Sequence, residues 1–123
     1  MANADRAQNN LNLNTHYLLF DEYYDGLVIC KSEENFIWVR DYLLSLMIND
    51  NRVSQFSIPL EMTATKDKII MKNNRTNGRL EVRIASQIMN GRRAVHCIID
   101  EDINTNTIKQ MDITAKEFYS LKI

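Results

Sequence analysis

The spacing of apolar residues changes several times along the chain, and each change marks an element. The stretch 32–50, SEENFIWVRDYLLSLMIND, repeats apolar residues every three or four positions. Phe36, Val39, Leu43, Leu46 and Met47 form one stripe, which Ile37, Leu44 and Ile48 widen and Trp38 and Tyr42 extend. Ser32 supplies an N-cap, and Glu33 and Glu34 suit the positive end of a helix dipole. The pattern predicts one long helix whose only convincingly polar side carries Glu34, Asp41 and Ser45, so it is covered on more than one side. After it, QFSIPLEMTA switches to period two, with Phe56, Ile58, Leu60 and Met62 on one side of a strand. Pro59 has no N–H to give a sheet, which places that strand at an edge or a bulge.

The three glycines each follow Asn or Asp: Asp25-Gly26, Asn77-Gly78 and Asn90-Gly91. Such dipeptides accept the positive φ of two-residue hairpin turns. The first is expected to join HYLLFDEYY to LVICK. The second and third are expected to link strands near 68–76, 79–89 and 92–100 into a meander. DITAKEFYSLKI predicts a short final helix, capped by Asp112 or Thr114 and burying Phe118 and Leu121. The expected order is β-β-α-β-β-β-β-α, an α+β fold with a largely antiparallel sheet of five to six strands, one long helix and a short C-terminal one. Residues 1–15, with five Asn and no sustained apolar period, are expected to be a mobile tail on a single domain at 16–123.

Composition sharpens this only in places. With 45% hydrophobic and 25% charged residues over 123 positions, the chain can bury a core without disulfides or metals. Cys30 and Cys97 lie in apolar strand-like runs and are expected to be reduced and buried. No apolar run approaches the length of a membrane span and no leader is visible, so a soluble cytoplasmic protein is expected, in the host cytoplasm if a virus or phage encodes it. Fourteen Asn and fourteen Ile against three Gly and one Pro point to an AT-rich genome.

Charge changes the picture more. The net charge is −1, yet Lys66 to Arg93 holds eight basic and two acidic residues. Counting outward from two-residue turns, Lys72 faces Arg83, and Met71, Val82, Ile84, Val95, Cys97 and Ile99 gather on a core face. The opposite face then carries Lys68, Lys72, Arg83 and His96, with Arg79 and Arg92 near its ends. Like charges directly opposite are destabilising, which a solvated face or a bridging anion relieves. Lys68, Lys72, Arg75, Arg79, Arg83, Arg92 and Arg93 are therefore the candidates for contact with nucleic-acid backbone. No Phe, Tyr or Trp lies between Phe56 and Phe118, so base stacking is not expected and contacts run to phosphates.

Other chemistry is weaker. HCIIDED, 96–102, has the form of an apolar strand ending in acids, as in the magnesium-binding strand of nucleotide hydrolases. The Gly-rich phosphate loop that such enzymes use is absent upstream, and hydrolysis is set aside on that ground. Asp67 with Glu81-Val82-Arg83 echoes a metal-dependent nuclease, but Arg in place of Lys cannot readily exchange a proton. His16, His96, Cys30 and Cys97 lack metal-ligand spacing, so no metal and no cofactor is expected, and His96 is read as a surface residue. DEYYDG, with Tyr23 and Tyr24, joins Trp38 and Tyr42 as the candidate protein-contact residues.

The leading expectation is thus a small non-enzymatic binding protein that grips nucleic-acid backbone through a basic sheet face. The alternative is a protein-interaction module, an inhibitor, adaptor or assembly subunit of phage or mobile-element type. It would act through the apolar helix and the tyrosine hairpin on a partner such as an acidic protein surface or a second copy of itself. No membrane partner is expected.

Overall fold

The computed structural model describes residues 2–85 and 91–123, with side chains from residue 9 onward. The elements are α1 (Ala2–Phe20), β1 (Asp25–Cys30), α2 (Glu33–Asn49), α3 (Asn51–Gln55), β2 (Leu60–Ala64), β3 (Lys68–Asn73), β4 (Gly78–Ile84), β5 (Arg93–Asp100), α4 (Thr105–Met111) and β6 (Thr114–Leu121). The fold is α+β around one six-stranded sheet, in the order β2-β3-β4-β1-β5-β6. The β2-β3-β4 half is antiparallel as expected. The β4-β1, β1-β5 and β5-β6 pairings are parallel.

That parallel half corrects the meander. β1 lies between β4 and β5, with Val28 paired to Val82 on one side and to Ile98 on the other, so β4 and β5 are not hairpin neighbours. Leu27, Val28, Ile29 and Cys30 are all fully buried, the mark of an interior parallel strand covered on both faces. Gly26 belongs to this strand and not to a hairpin. A Cβ there would come within 2.6 Å of Leu80 and 2.8 Å of the Tyr24 ring, so Gly permits a close approach. Of the third turn, Asn90 lies outside the described residues.

The Asn77-Gly78 hairpin is present but its turn has four residues, 74–77. Asn73 pairs with Gly78, so Lys72 faces Arg79 and Lys68 faces Arg83. Asn77 takes the left-handed conformation at φ 58°, while Gly78 already belongs to the ladder. A four-residue change in register sum preserves which side chains share a face. Met71, Val82 and Ile84 therefore remain on the core side, but Cys97 and Ile99 pack on the opposite face.

Helix α2 forms as read, with the Ser32 side chain accepting the Asn35 N–H. β2 is an edge strand, in keeping with Pro59 just before it. The segment 1–15 is helical from Ala2, part of α1. Its inward positions 11, 14, 15 and 18 keep helical spacing, but two of them are Asn14 and Thr15, both buried. The Asn14 amide donates to the Asn10 carbonyl, and the Thr15 hydroxyl to that of Asn12. The apolar period fails there because satisfied polar groups occupy part of the stripe. HYLLF ends that helix and is not a strand. At the other end, Asp112 closes α4 at φ 50° and does not open a helix. TAKEFYSL becomes β6 because pairing with β5 outweighs a weak local preference.

The two faces of the sheet are covered differently. α1 and α2 bury one over Val28, Cys30, Phe36, Val39, Leu43, Ile69, Met71, Leu80, Val82 and Ile98. On the other, α4 covers Leu27, Ile29 and Cys97 with Ile103 and Met111. No described helix lies over the β2-β3-β4 half of this second face.

Candidate functional site

Parallel strands carry their connections away from their carboxyl ends, and here the directions diverge. From β1 the chain enters α2 on one face; from β5 it enters α4 on the other. The divergence opens a crevice beyond the carboxyl ends of β1 and β5, the switch point at which open α/β sheets bind ligands.

Asp100, the last residue of β5, sits in this crevice at 1% exposure. Its Oδ2 accepts the Lys31 N–H at 3.1 Å and the Asn35 side-chain amide at 2.7 Å. Its Oδ1 accepts the Asp102 N–H at 3.2 Å. A carboxylate is thus seated at the start of α2, where the helix dipole favours negative charge. Glu101 is exposed beside it, and its N–H donates to the Leu121 carbonyl at 2.8 Å. Asp102 bridges the amines of Lys31 and Lys122, each at 2.9 Å. Those hydrogen bonds, from Lys122 and then Lys31, hold its carboxyl below the usual range, and Asp102 raises Lys31 in turn. A cleft of about 280 Å³ opens between Lys31, Ala85, Asp102, Ile103, Asn104 and Thr107. A shallower groove of about 450 Å³ runs past Asp100 and Glu101 to Ile108 and Phe118. Burial pushes the Cys30 thiol up, with Asp100 adding to it, and Cys97 up to about 12; both are free, buried thiols.

The basic residues come together only in part. Lys68, Lys72, Arg79 and Arg83 share the uncovered face of β3 and β4, with Arg92 at its β5 side. Two carboxylates lie among them: Glu81, which strand alternation already puts on the face of Arg83, and Asp25, which sequence reasoning missed. Asp25 takes Arg92 as a two-pronged pair at 2.7 and 3.0 Å, and Arg79 at 3.3 Å. Glu81, only 6% exposed, takes Arg83 at 2.9 Å, Arg92 at 3.4 Å and Arg79 at 3.9 Å. Burial works against the charge on Arg92, but Asp25 and Glu81 more than offset it. Arg75 is elsewhere, donating to the carbonyls of Phe56 and Ser57 at 2.9 and 2.8 Å. Arg93 is exposed at the start of β5. The register that places Asp25 beside the arginines depends on β1 pairing with β4, which no local signal announces.

His96 is a correction: it is 9% exposed, on the face that α1 and α2 cover. Its Nδ1 lies 3.2 Å from the Tyr24 hydroxyl, which donates to Asn14. Of the protein-contact candidates, Tyr23 is 70% exposed, whereas Tyr24 is buried. Trp38 and Tyr42 stack on α2 with their rings 2° from parallel, both half-buried. Among the described residues no cluster of three His, Cys, Asp or Glu converges on a metal position, and no helix is long and apolar enough to cross a membrane.

No protein-family model and no curated protein matches the sequence. Solved structures do resemble the fold. The large terminase of a thermophilic bacteriophage superposes with a TM-score of 0.53 at 8% identity, over 87% of this chain and 27% of that one. The ATPase domain of a Thermus phage large terminase gives 0.46 at 12% identity, over 91% of this chain and 54% of that one. The ADP complex of the first enzyme gives 0.44 at 6% identity, over 87% and 28%. The chain therefore spans about a quarter of the thermophilic phage terminase with which it shares a fold. The expectation of a non-enzymatic protein is overturned by this likeness, because a solved protein with this fold is a phage large terminase, a member of an enzyme family.

Proposed function

We propose that this chain carries the acidic part of a nucleotide-phosphate site, with Asp100 and Glu101 as its central pair. The observation behind this reading is the position of Asp100: the end of an apolar, interior parallel strand, at the switch point between β1 and β5. An acid at that place is what the magnesium-binding strand of a nucleotide hydrolase offers. A magnesium ion carried in on phosphates needs only one or two protein carboxylates and keeps several waters, so the lack of a three-acid cluster among the described residues is compatible with it. Asp100 would act through its fixed orientation, and the exposed Glu101 would face the ligand. β1 passes to α2 through Lys31 and Ser32 alone, and none of the three glycines lies there. The phosphate cradle is therefore not built by these residues, and affinity for the nucleotide alone is expected to be on the order of millimolar. NMR titration with magnesium-ATP should shift the amides of Lys31, Glu101 and Asp102, and the shifts should vanish without magnesium. No change in these amides at several-fold higher nucleotide would overturn the reading.

A second reading concerns the other charged region. The β2-β3-β4 half of the α4-side face is free of any described helix, and it holds Lys68, Lys72, Arg79 and Arg83. We propose contact with nucleic-acid backbone there, with Arg92 at its margin and Arg75 and Arg93 outside it. For the protein-contact alternative, Tyr23, Trp38 and Tyr42 remain the surface to test, and Tyr24 serves the core.

A further inference from the structure

We infer that this uncovered face binds phosphodiester backbone through two cationic rungs, Lys72 with Arg79 and Lys68 with Arg83; the inference rests on the second reading above. Each rung is a pair of like charges directly opposite across β3 and β4. Such an arrangement works against the sheet, and carboxylates of the protein relieve it only on the arginine side, leaving the lysines to a ligand. The arginine of each rung is braced by a carboxylate beside it. Asp25 holds Arg79 at 3.3 Å, and the buried Glu81 holds Arg83 at 2.9 Å. These carboxylates fix the guanidinium planes, so the arginines lose little freedom when a phosphate arrives. The lysines have no side-chain partner within ion-pair distance among the described residues, and Lys72 is exposed. Glu61 lies opposite Lys72 on β2, so the Lys68–Arg83 rung is the more strongly cationic of the two.

The geometry also selects the ligand. Lys68 and Lys72 are four residues apart on one strand, roughly 13 Å at the usual rise. A span of that length reaches past one phosphate to the next along a backbone, which suits a repeating anion better than a single phosphate. No Phe, Tyr or Trp falls within β2, β3, β4 or β5, so the face has no platform for bases. A phosphate backbone, bound without sequence preference, is the ligand that these features share.

The test is fluorescence anisotropy of the intact chain with a labelled duplex and a labelled single strand, across a salt series from about 50 to about 200 mM. Lys68→Gln/Lys72→Gln should weaken binding at least about tenfold at low salt and reduce the salt slope by about two. Lys109→Gln/Lys116→Gln, which removes the same charge from α4 and β6, should leave both unchanged. Circular dichroism melts confirm that each variant is folded. If the wild type binds neither nucleic acid at low salt, the second reading itself fails. If it binds and the α4 and β6 variant loses affinity while Lys68→Gln/Lys72→Gln does not, backbone contact stands but this site does not. Complete competition by an equal concentration of inorganic phosphate would also overturn the inference, since a rung would then be a site for a lone anion. Retained binding of an acidic polypeptide such as polyglutamate, with none of nucleic acid, would assign the face to protein.

Discussion

Two charged regions of this molecule are stabilised in opposite ways. In the crevice, Asp100 is satisfied by two backbone N–H groups and a neutral amide, at the favourable end of a helix. On the open face, Asp25 and Glu81 are satisfied by arginine side chains that remain partly in water. Neutral donors hold a buried anion without cancelling its charge, so the crevice keeps a negative centre. Arginines hold their carboxylates by cancelling them, so the face is far less basic than the eight cations of its sequence segment suggest. The sharpest way to expose the difference is to remove each anion. Asp100→Ala strands the Lys31 N–H and the Asn35 amide in a buried place. It should cost about 3 kcal/mol, as expected for several hydrogen bonds to a buried charge. Urea denaturation measures this. A loss below about 1 kcal/mol would mean that water enters and replaces the carboxylate.

Glu81→Gln should cost less, about 1–2 kcal/mol. The amide keeps the shape and an acceptor, and the partners Arg83 and Arg92 retain 22% and 15% side-chain exposure with which to recruit water. Part of the loss should be hidden by high salt, which screens the freed arginines, whereas the Asp100→Ala loss should be insensitive to salt. Equal salt dependence of the two would erase the contrast between the regions.

What could be read in advance follows the same physics. α2 was legible because cap, dipole and stripe agree over seventeen residues. The β3-β4 hairpin was legible because Asn77 must take positive φ, although the four-residue turn moved its register. β1 was misplaced: its five buried residues, Gly26 to Cys30, fit an interior parallel strand, but the Asp25-Gly26 dipeptide suggested a turn more loudly. The partners of a parallel strand are set by long connections that leave no local trace, so the insertion of β1 between β4 and β5 was not visible. The crevice was half legible. The acids of HCIIDED were seen, and what dismissed them was a missing phosphate loop. Their place at a switch point depends on topology, which only the assembled sheet shows. The ion pairs of Asp25 were lost for the same reason, since it sits beside Arg79 only once β1 lies against β4.

The smallest effect separates a braced face from a merely solvated one. Lys68 stands opposite Arg83 and is half-buried; β2 ends at Ala64, paired with Ile69, and sets no acid opposite Lys68. Lys72, by contrast, has Glu61 on its far side. Lys68→Gln should therefore stabilise the free protein by a few tenths of a kcal/mol, while Lys72→Gln should be neutral within about the same margin. For a chain of this size the first change corresponds to a rise of about 1 °C in melting temperature, within reach of differential scanning calorimetry on matched samples. The gain should disappear at high salt, because it is the removal of a repulsion. If Lys68→Gln instead lowers the melting temperature, its ammonium is matched by an acid in solution. Lys68 would then be neutralised like Arg79, Arg83 and Arg92, and the uncovered face would hold little charge to spare for a ligand.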